Sequence, residues 1–249
     1  MKNILITSGG TKEYIDGVRV LTNISSGKLG ALIADTIVMK HPSEKDGIKS
    51  FHVHFVYVKG TERPKHEISF KGLQNMTVYE VTDVQSVYDI MEKLVPTMDF
   101  VIHPMAVSDF GFSPIHTKLK SNDPEAFIES MRERIYQTPK ILSHIKKWNP
   151  NCFLISFKFE DGMTKEELFE SATQSLDKNG SNIVVANDKS EMKKLGVHKA
   201  YFIGRVPTGT TSLGPILFNE VSGKEEIANS IFEIVSRRKN ELNDGKTSL

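Results

Sequence analysis

The sequence predicts an α/β fold in which helices flank a mostly parallel sheet that ends in a ribbon or hairpin. Apolar runs typical of strands alternate with helix-like periods nearly from end to end, which is the pattern of a parallel sheet with crossover helices. The loop after the first strand is unusually long, and ligands bind at the carboxyl ends of such strands. Two β-rich runs, at residues 200–204 and 216–220, then close the pattern as a hairpin or ribbon.

The predicted elements follow one another along the chain. Residues 25–40 are predicted as a helix because Ser25 and Ser26 suit an N-cap and apolar residues recur after them near helical spacing. Thr138-Pro139 suits the start of another helix, since proline is favoured in a first helical turn. The predicted strands are 3–7, 51–58, 77–81, 99–103, 153–157, 182–186, 200–204 and 216–220, and the predicted helices are 25–40, 83–94, 138–147, 164–178 and 224–238.

The domain organisation follows from the continuity of this pattern. No repeat and no linker interrupts it, so residues 1–249 are interpreted as one domain. An insertion or flap is expected near 110–137, and the tail at 243–249 is expected to fray.

Composition and charge exclude several classes of protein. Among 249 residues, 25% are charged and 39% are hydrophobic, which are globular values. The 32 basic and 31 acidic residues leave a net charge of +1, so no bulk charge predicts nucleic-acid or membrane binding. The single cysteine, Cys152, excludes an intrachain disulfide and a multi-cysteine zinc site. No apolar run has the length of a membrane span and no signal peptide is recognisable, so a cytoplasmic protein is expected.

The loop between the first strand and the first helix carries most of the chemical signal. It extends from about Ser8 to Ile24, whereas such connections usually take about 2–6 residues. Adjacent glycines, here Gly9 and Gly10, let backbone N–H groups approach a phosphate, and Arg19 has the geometry to bind an anion with two hydrogen bonds. The alternative is that the glycines only make a turn and that later ones only allow the helix to pack closely on the sheet.

Two nucleotide-binding motifs are nearly present but incomplete. A P-loop requires a glycine five residues before its Gly-Lys pair and a Ser or Thr after it, and Thr22 and Leu29 occupy these positions. The second strand ends at Val58-Lys59-Gly60 without the acidic residue that holds the ribose in NAD enzymes. An ordinary NAD dehydrogenase is therefore disfavoured.

The ends of later strands supply further candidates. Asp109 follows the fourth predicted strand and suits a sugar hydroxyl or a metal, or it caps a loop. Phe157 ends another strand and either stacks on a base or belongs to the core. His52 and His54 share a strand face, but without a third ligand they make a poor metal site.

Together these residues resemble a known family, the phosphopantothenate–cysteine ligases of coenzyme A synthesis, in the stand-alone bacterial type. The resemblance covers most of the chain in order. It is carried by Gly9-Gly10-Thr11, Asp16-Gly17-Val18-Arg19, Thr22-Asn23-Ile24-Ser25-Ser26-Gly27-Lys28-Leu29-Gly30, Met105-Ala106-Val107-Ser108-Asp109-Phe110, Thr138-Pro139-Lys140-Ile141-Leu142, Trp148-Asn149-Pro150, the Phe157 strand and Ala186-Asn187-Asp188.

The resemblance implies a Rossmann-like homodimer that activates a carboxylate with Mg²⁺ and a nucleoside triphosphate, CTP or ATP. Its substrates would be 4′-phosphopantothenate, L-cysteine and that nucleotide, and the intermediate an acyl-nucleotide, most typically an acyl-cytidylate. The strand ribbon at 199–220 would be a natural place for pairing across the two-fold axis. The metal ligands are left open.

Site residues carry over from the family by position. Asn23 would hold the acyl-nucleotide, with Arg19 beside it, and Lys118 or Lys120 would replace the family's lysine-rich segment, although they lie further upstream than that segment. The residues that would contact the nucleotide are Gly9, Gly10, Thr11, Ser26, Gly27, Met105, Ala106, Asp109, Phe157 and Lys178. Two alternatives remain: a nucleotide-binding regulatory module without catalysis, and an NAD(P) or flavin oxidoreductase on the same sheet.

Overall fold

A central sheet organises the protein, whose computed structural model describes residues 1–40, 51–66, 75–115, 117–119, 122–205 and 215–243. The strands are β1 (Lys2–Ser8), β2 (Lys12–Tyr14), β3 (Val20–Thr22), β4 (Phe51–Val58), β5 (Met76–Val81), β6 (Phe100–His103), β7 (Phe110–Phe112), β8 (Ile135–Gln137), β9 (Phe153–Glu160), β10 (Ile183–Asp188), β11 (Lys199–Gly204) and β12 (Ile216–Ser222). The helices are α1 (Lys28–Lys40), α2 (Val84–Leu94), α3 (Pro124–Arg134), α4 (Ile141–Trp148), α5 (Lys165–Asn179), α6 (Lys189–Leu195) and α7 (Lys224–Asn243).

Eight of these strands form one sheet in the order β12-β11-β10-β9-β6-β1-β4-β5. The six strands from β10 to β5 are parallel, and β11 and β12 add an antiparallel ribbon at one edge. The chain moves from β1 towards β5 and later returns to the other side of β1 through β6. The strand order therefore reverses between β1 and β6, and in open α/β sheets ligands bind at the carboxyl ends of the strands beside such a point.

Helices cover both faces of the sheet, as the continuous apolar strands require. Because successive side chains of a strand point to opposite faces, Ile4 and Ile6 of β1 pack with α1 and α7, whereas Leu5 packs with α2 and α4. Helix α5 covers β10 and β11 on the same face as α4, through Leu168, Ala172 and Leu176. The predicted parallel sheet between helices and the predicted closing hairpin are both confirmed.

The structure corrects two predicted helix starts. Helix α1 begins at Lys28, three residues later than predicted, because Gly27 has a φ of +79° and keeps the preceding serines in the loop. Helix α4 begins at Ile141, because the hydroxyl of Thr138 donates to the Ser108 carbonyl at 2.5 Å and ties this segment to the loop after β6. A local backbone conformation thus sets the start of α1, and a tertiary hydrogen bond sets the start of α4.

The described residues of the segment 110–137, which is predicted as an insertion or flap, contain regular secondary structure. Strands β7 and β8 pair as an antiparallel hairpin, and α3 lies between them along the chain. The long loop after β1 contains a second hairpin of β2 and β3, which sequence analysis did not predict. Helix α7 continues to Asn243, five residues beyond its predicted end, and residues 244–249 of the predicted frayed tail lie outside the described residues. Within the described residues, every helix is too short or too polar to cross a membrane.

Candidate active site at the carboxyl edge of the sheet

Two cavities adjoin at the carboxyl edge of the parallel strands. The first cavity has a volume of about 490 Å³ and lies between the loop after β6, the start of α4 and one face of α5. The second cavity has a volume of about 410 Å³ and lies between the loop that leads into α1 and the ends of β9 and β10. Phe157 of β9 lines both cavities, so its side chain marks the boundary between them.

The first cavity brings together four predicted nucleotide-binding residues. Met105, Asp109, Phe157 and Lys178 all line it, although they are spread over more than seventy positions of the chain. Helix α5 adds a polar face, because residues three and four positions apart lie on the same side of a helix. That face consists of Ser171, Gln174, Ser175, Lys178 and Asn179.

Lysines make the first cavity basic. Lys140 forms an ion pair with Asp109, and the Lys158 ammonium lies 2.9 Å from the Glu160 carboxylate. Lys178 has no ion-pair partner among the described residues. Within the same part of the chain, Asp109 is the single acidic side chain that lines this cavity, so the site favours an anionic ligand.

His103 ends β6 at the wall of the first cavity and is nearly fully buried. Its Nδ1 lies 2.7 Å from the Thr7 hydroxyl of β1. Burial lowers the pKa of His103 from 6.5 to about 4, so the imidazole is neutral at pH 7. It therefore links two strands and contributes no positive charge to the cavity.

The second cavity is built around the loop that leads into α1. Its wall includes Gly9, Ser26 and Gly27, all predicted to bind phosphate, and Ala106 from the loop after β6. The Ser8 hydroxyl donates to the Gly27 carbonyl at 2.8 Å and fixes this loop on β1. A methyl group on Gly9, whose φ is +92°, would lie 2.8 Å from Thr61, so this position requires a glycine.

Gly10 and Thr11 lie behind the second cavity and line neither cavity. Gly10 pairs with Ala106 as an isolated bridge, and the Thr11 N–H donates to the Ala106 carbonyl at 3.1 Å. The buried Thr11 hydroxyl accepts a hydrogen bond from the Ser108 N–H at 2.9 Å. These contacts join the loops after β1 and β6, so the clearest role of both residues is to hold the two loops together.

Arg19 lies in the β2–β3 hairpin and is anchored there. Its guanidinium donates to the Asp16 carboxylate at 2.8 Å and to the Leu119 carbonyl at 3.3 Å, and it lies 5.0 Å from the centre of the Phe127 ring. The fully buried Asp16 side chain also accepts the N–H groups of Val18 and Leu119. Arg19 thus connects the β2–β3 hairpin to the segment before α3 and to α3 itself.

The environment of Asp16 keeps it ionised. Burial alone would raise the pKa of Asp16, but the backbone N–H groups of Val18, Leu119 and Arg19, together with the Arg19 charge, lower it below its usual range. The anionic carboxylate therefore remains available to hold the Lys118–Leu119 segment in place.

The remaining predicted catalytic residues lie outside the two cavities. Lys118 is exposed beside Leu119 and lines neither cavity, and Lys120 lies outside the described residues. Asn23 is exposed next to Ile24, which does line the second cavity, and its carbonyl packs against Gly10. The structure therefore places Asn23 at the border of the second cavity and Lys118 further away.

The donor atoms of the site do not form a metal centre by themselves. Among the residues that the structure describes, no three His, Cys, Asp or Glu side chains lie close enough to hold an ion together. In that part of the chain, Asp109 is the acidic residue available in the first cavity, and no acidic side chain lines the second. Such a donor set fits Mg²⁺ only where the ligand supplies most of the oxygens.

Several residues that line the cavities were not predicted from the sequence. His198 and Lys224 line the second cavity, and Lys140 and Gln174 line the first. Lys140 directly follows Thr138-Pro139, in one of the segments that carry the family resemblance, so the sequence does contain a signal for it. His198 and Lys224 carry no local signal, because only the folding of the β11–β12 ribbon brings them to this edge of the sheet.

Comparison with known proteins decides the family. A family model described as the C-terminal domain of DNA/pantothenate metabolism flavoproteins matches residues 1–237. The chain belongs to this family. It is 32% identical over 192 residues to the coenzyme A biosynthesis bifunctional protein CoaBC of Thermococcus kodakarensis, covering 75% of this chain and 41% of that protein. With the CoaBC protein of Methanocaldococcus jannaschii, identity is 29% over 188 residues, covering 76% of this chain and 41% of that one.

A solved structure supports the same family assignment. The DNA/pantothenate metabolism flavoprotein from Streptococcus pneumoniae superposes with a TM-score of 0.73 at 27% identity, covering 96% of this chain and all of that one. This confirms the predicted Rossmann-like fold, and the curated relatives confirm the predicted kinship with coenzyme A biosynthesis proteins. The chain spans about two fifths of the length of those curated relatives.

Proposed function

We propose that the protein is a ligase that joins 4′-phosphopantothenate to L-cysteine in coenzyme A biosynthesis, with a nucleoside triphosphate as co-substrate. The observation that carries this proposal is the pair of cavities that meet at Phe157, both of which favour anions. A ligase of this kind must hold two phosphorylated substrates side by side. Kinship with the CoaBC proteins supports the same activity.

The proposed reaction proceeds in two steps. The carboxylate of 4′-phosphopantothenate attacks the α-phosphorus of the nucleotide, which forms an acyl-nucleotide and releases pyrophosphate. The amine of cysteine then attacks the acyl carbon, forms the amide and expels the nucleoside monophosphate. A free α-amino group has a pKa of about 8, so a strong base is dispensable. The neutral, buried His103 is consistent with a site that works by binding and charge stabilisation.

The first cavity is the proposed nucleotide site. Phe157 would stack on the base, Met105 and Asp109 would contact the base and the sugar, and Lys178 would bind a phosphate. CTP is the favoured nucleotide, with ATP as the alternative. Mg²⁺, when bound with the triphosphate, would neutralise part of its charge, and Asp109 is the carboxylate placed to contribute to its coordination.

The second cavity is the proposed site of the acyl substrate. Gly9, Ser26 and Gly27 would face its phosphate or the transferred phosphoryl group, and Ala106 would lie against the nucleotide. Asn23 would hold the acyl-nucleotide from the border of this cavity, with Arg19 beside it. Lys118 and Lys120 remain the proposed substitutes for the family's lysine-rich segment.

We also propose that two copies of the chain associate. The surfaces of soluble monomers rarely carry large contiguous patches of apolar side chains, and the two hairpins beside the site carry such side chains together. The β2–β3 and β7–β8 hairpins are joined by Arg134, which donates to the Ile15 carbonyl at 2.9 Å. Together they expose the large apolar side chains Tyr14, Val18, Val20, Leu21, Ile24, Phe110, Ile135 and Tyr136. In the described strands β11 and β12 of the ribbon at 199–220, the exposed large apolar side chains are Leu217 and Phe218. The hairpin face is therefore the proposed homodimer contact, ahead of the ribbon.

The decisive experiment is an assay of pyrophosphate release with 4′-phosphopantothenate and Mg²⁺, comparing CTP with ATP, with and without cysteine. Turnover that requires cysteine supports the ligase and identifies its nucleotide. Nucleotide binding without pyrophosphate release supports the regulatory module instead, and nicotinamide or flavin binding supports the oxidoreductase.

The buried, single Cys152 fits the reducing cytoplasm, which is the compartment that we propose for the enzyme.

A further inference from the structure

We infer that Lys224 and His198, facing the loop that carries Lys28, bind a phosphoryl group in the second cavity. The inference rests on the proposed function for the identity of the phosphorylated ligand. The anion-binding site itself follows from the residues that the fold brings together there.

Three separate parts of the chain supply the basic side chains. Lys28 is the first residue of α1, Lys224 is the first residue of α7, and His198 lies between α6 and β11. All three line the same cavity. The Gly223 N–H donates to the His198 carbonyl at 2.9 Å, which holds Lys224 next to His198. The two residues therefore form one wall of the cavity, in which Lys224 carries the positive charge.

Charge at this wall is uncompensated. Among the residues that the structure describes, no acidic side chain lines the second cavity, and neither the Lys28 nor the Lys224 ammonium has an ion-pair partner. By contrast, the nearby Lys165 and Lys199 both pair with the Glu220 carboxylate, at 2.7 and 2.5 Å. A concave site with two unpaired ammonium groups and no carboxylate is suited to an anion with several acceptor oxygens.

His198 adds a directional hydrogen-bonding group. Its Nε2 lies 3.1 Å from the Asn187 side-chain nitrogen, which also lines the cavity. Burial, followed by the charge of Lys224, lowers the pKa of His198. The imidazole is therefore neutral at pH 7, and when Asn187 donates to Nε2, Nδ1 carries the proton and serves as a donor.

The proposed reaction offers two sources of phosphoryl group: the phosphate of the acyl substrate and the phosphates of the nucleotide. Both present the same terminal oxygens. The lysines of the first cavity, on the other side of Phe157, are already placed for the nucleotide. The phosphate of 4′-phosphopantothenate is therefore the expected occupant, and the experiment separates the two sources.

The test compares Lys224→Met and His198→Ala with wild type, and uses Lys147→Met as a matched control. Lys147 is exposed in the last turn of α4 and lines neither cavity. Calorimetry measures the binding of inorganic phosphate, 4′-phosphopantothenate, unphosphorylated pantothenate and CTP. Thermal melting establishes that each variant is folded.

The expected result is a loss of affinity of about tenfold or more for inorganic phosphate and 4′-phosphopantothenate in Lys224→Met, and a smaller loss in His198→Ala. Pantothenate and CTP affinities should stay within twofold, and Lys147→Met should match wild type. In turnover, the KM for 4′-phosphopantothenate should rise with kcat nearly unchanged. A loss confined to inorganic phosphate and CTP would assign the same anion site to the nucleotide instead.

The inference is overturned if folded Lys224→Met binds inorganic phosphate and both phosphorylated ligands as wild type does. It is also overturned if wild type binds none of these ligands, or if Lys224→Met loses as much affinity for pantothenate as for 4′-phosphopantothenate. Phosphate binding that depends on Lys224, in a protein that never releases pyrophosphate, would leave the anion site standing and the ligase refuted. Ligase turnover that does not change in Lys224→Met would support the ligase and refute the anion site at Lys224.

Discussion

Replacing Gly10 by alanine should disable the proposed ligase without unfolding it. A β-carbon at Gly10 would lie 2.3 Å from the Asn23 carbonyl oxygen. Gly10 is unable to move away, because the loop containing it is hydrogen-bonded to Ala106 on both sides: the Ala106 N–H donates to the Gly9 carbonyl at 2.9 Å, and the Thr11 N–H donates to the Ala106 carbonyl at 3.1 Å. The Asn23 backbone must therefore move to relieve the clash.

The size of the displacement follows from the contact distance. An ordinary contact between a β-carbon and a carbonyl oxygen begins at 3.4 Å, so the Asn23 backbone must move by about 1.1 Å. A misplacement of about 1 Å at a reacting site costs on the order of 100-fold in rate. Overpacking costs about 1–3 kcal/mol of stability, which a domain of ordinary stability survives.

The assay is pyrophosphate release in the presence of 4′-phosphopantothenate and cysteine, together with a urea unfolding curve. Gly204→Ala is the matched control, since its β-carbon would also be crowded, at 3.0 Å from the Asn182 carbonyl oxygen, but far from both cavities. We expect the control to lose stability and keep its kcat/KM. A folded Gly10→Ala protein with kcat/KM within threefold of wild type would refute the reasoning.

Three further predictions follow from individual side chains. Lys178→Met should raise the KM for the nucleotide by about tenfold, because an unpaired ammonium leaves the first cavity, and unchanged nucleotide affinity would contradict this. Because the pKa of His103 falls from 6.5 to about 4 on folding, His103 takes up a proton at a higher pH in the unfolded chain than in the folded chain. As the pH falls from 6.5 to about 4, protonation of His103 should lower the free energy of unfolding by at most about 1.4 kcal/mol per pH unit. In His103→Asn, the free energy of unfolding measured in urea should depend less on pH over this range. Asn149→Ala should lose about 2 kcal/mol in urea unfolding with kcat unchanged, since this side chain donates to the Val95 and Met98 carbonyls and accepts the Cys152 N–H.

The sheet was predictable because its signal is local. Each central strand is a short apolar run such as Ile4-Leu5-Ile6, which is buried on both faces and therefore cannot alternate with polar residues. The first cavity was partly predictable for a related reason. Met105 and Asp109 follow β6, and Phe157 lies in the carboxyl half of β9, which continues to Glu160, beyond its predicted end. The topology of a parallel sheet brings these regions to one edge.

The second cavity was less predictable because two of the polar residues in its wall, His198 and Lys224, come from elements without a local signal. Lys224 begins an ordinary amphipathic helix, and His198 precedes an ordinary strand. Their approach to Gly27 depends on β11 pairing antiparallel to β10 and on β12 pairing antiparallel to β11. In the sequence, His198 and Lys224 lie 171 and 197 positions after Gly27, and no local pattern indicates the contact.

The position of Phe157 constrains where the proposed chemistry occurs. With the nucleotide in the first cavity and the acyl substrate in the second, the bond between them must form at the wall that the cavities share, beside this ring. Ile24 lines the second cavity, so the neighbouring Asn23 lies at its border. Since the Asn23 carbonyl rests on Gly10, and Gly10 is paired with Ala106, the loops after β1 and β6 fix the reacting region jointly. The two strands at which the sheet reverses its order thus position both halves of the proposed acyl-nucleotide, which explains why the long loop after β1 folds against the loop after β6.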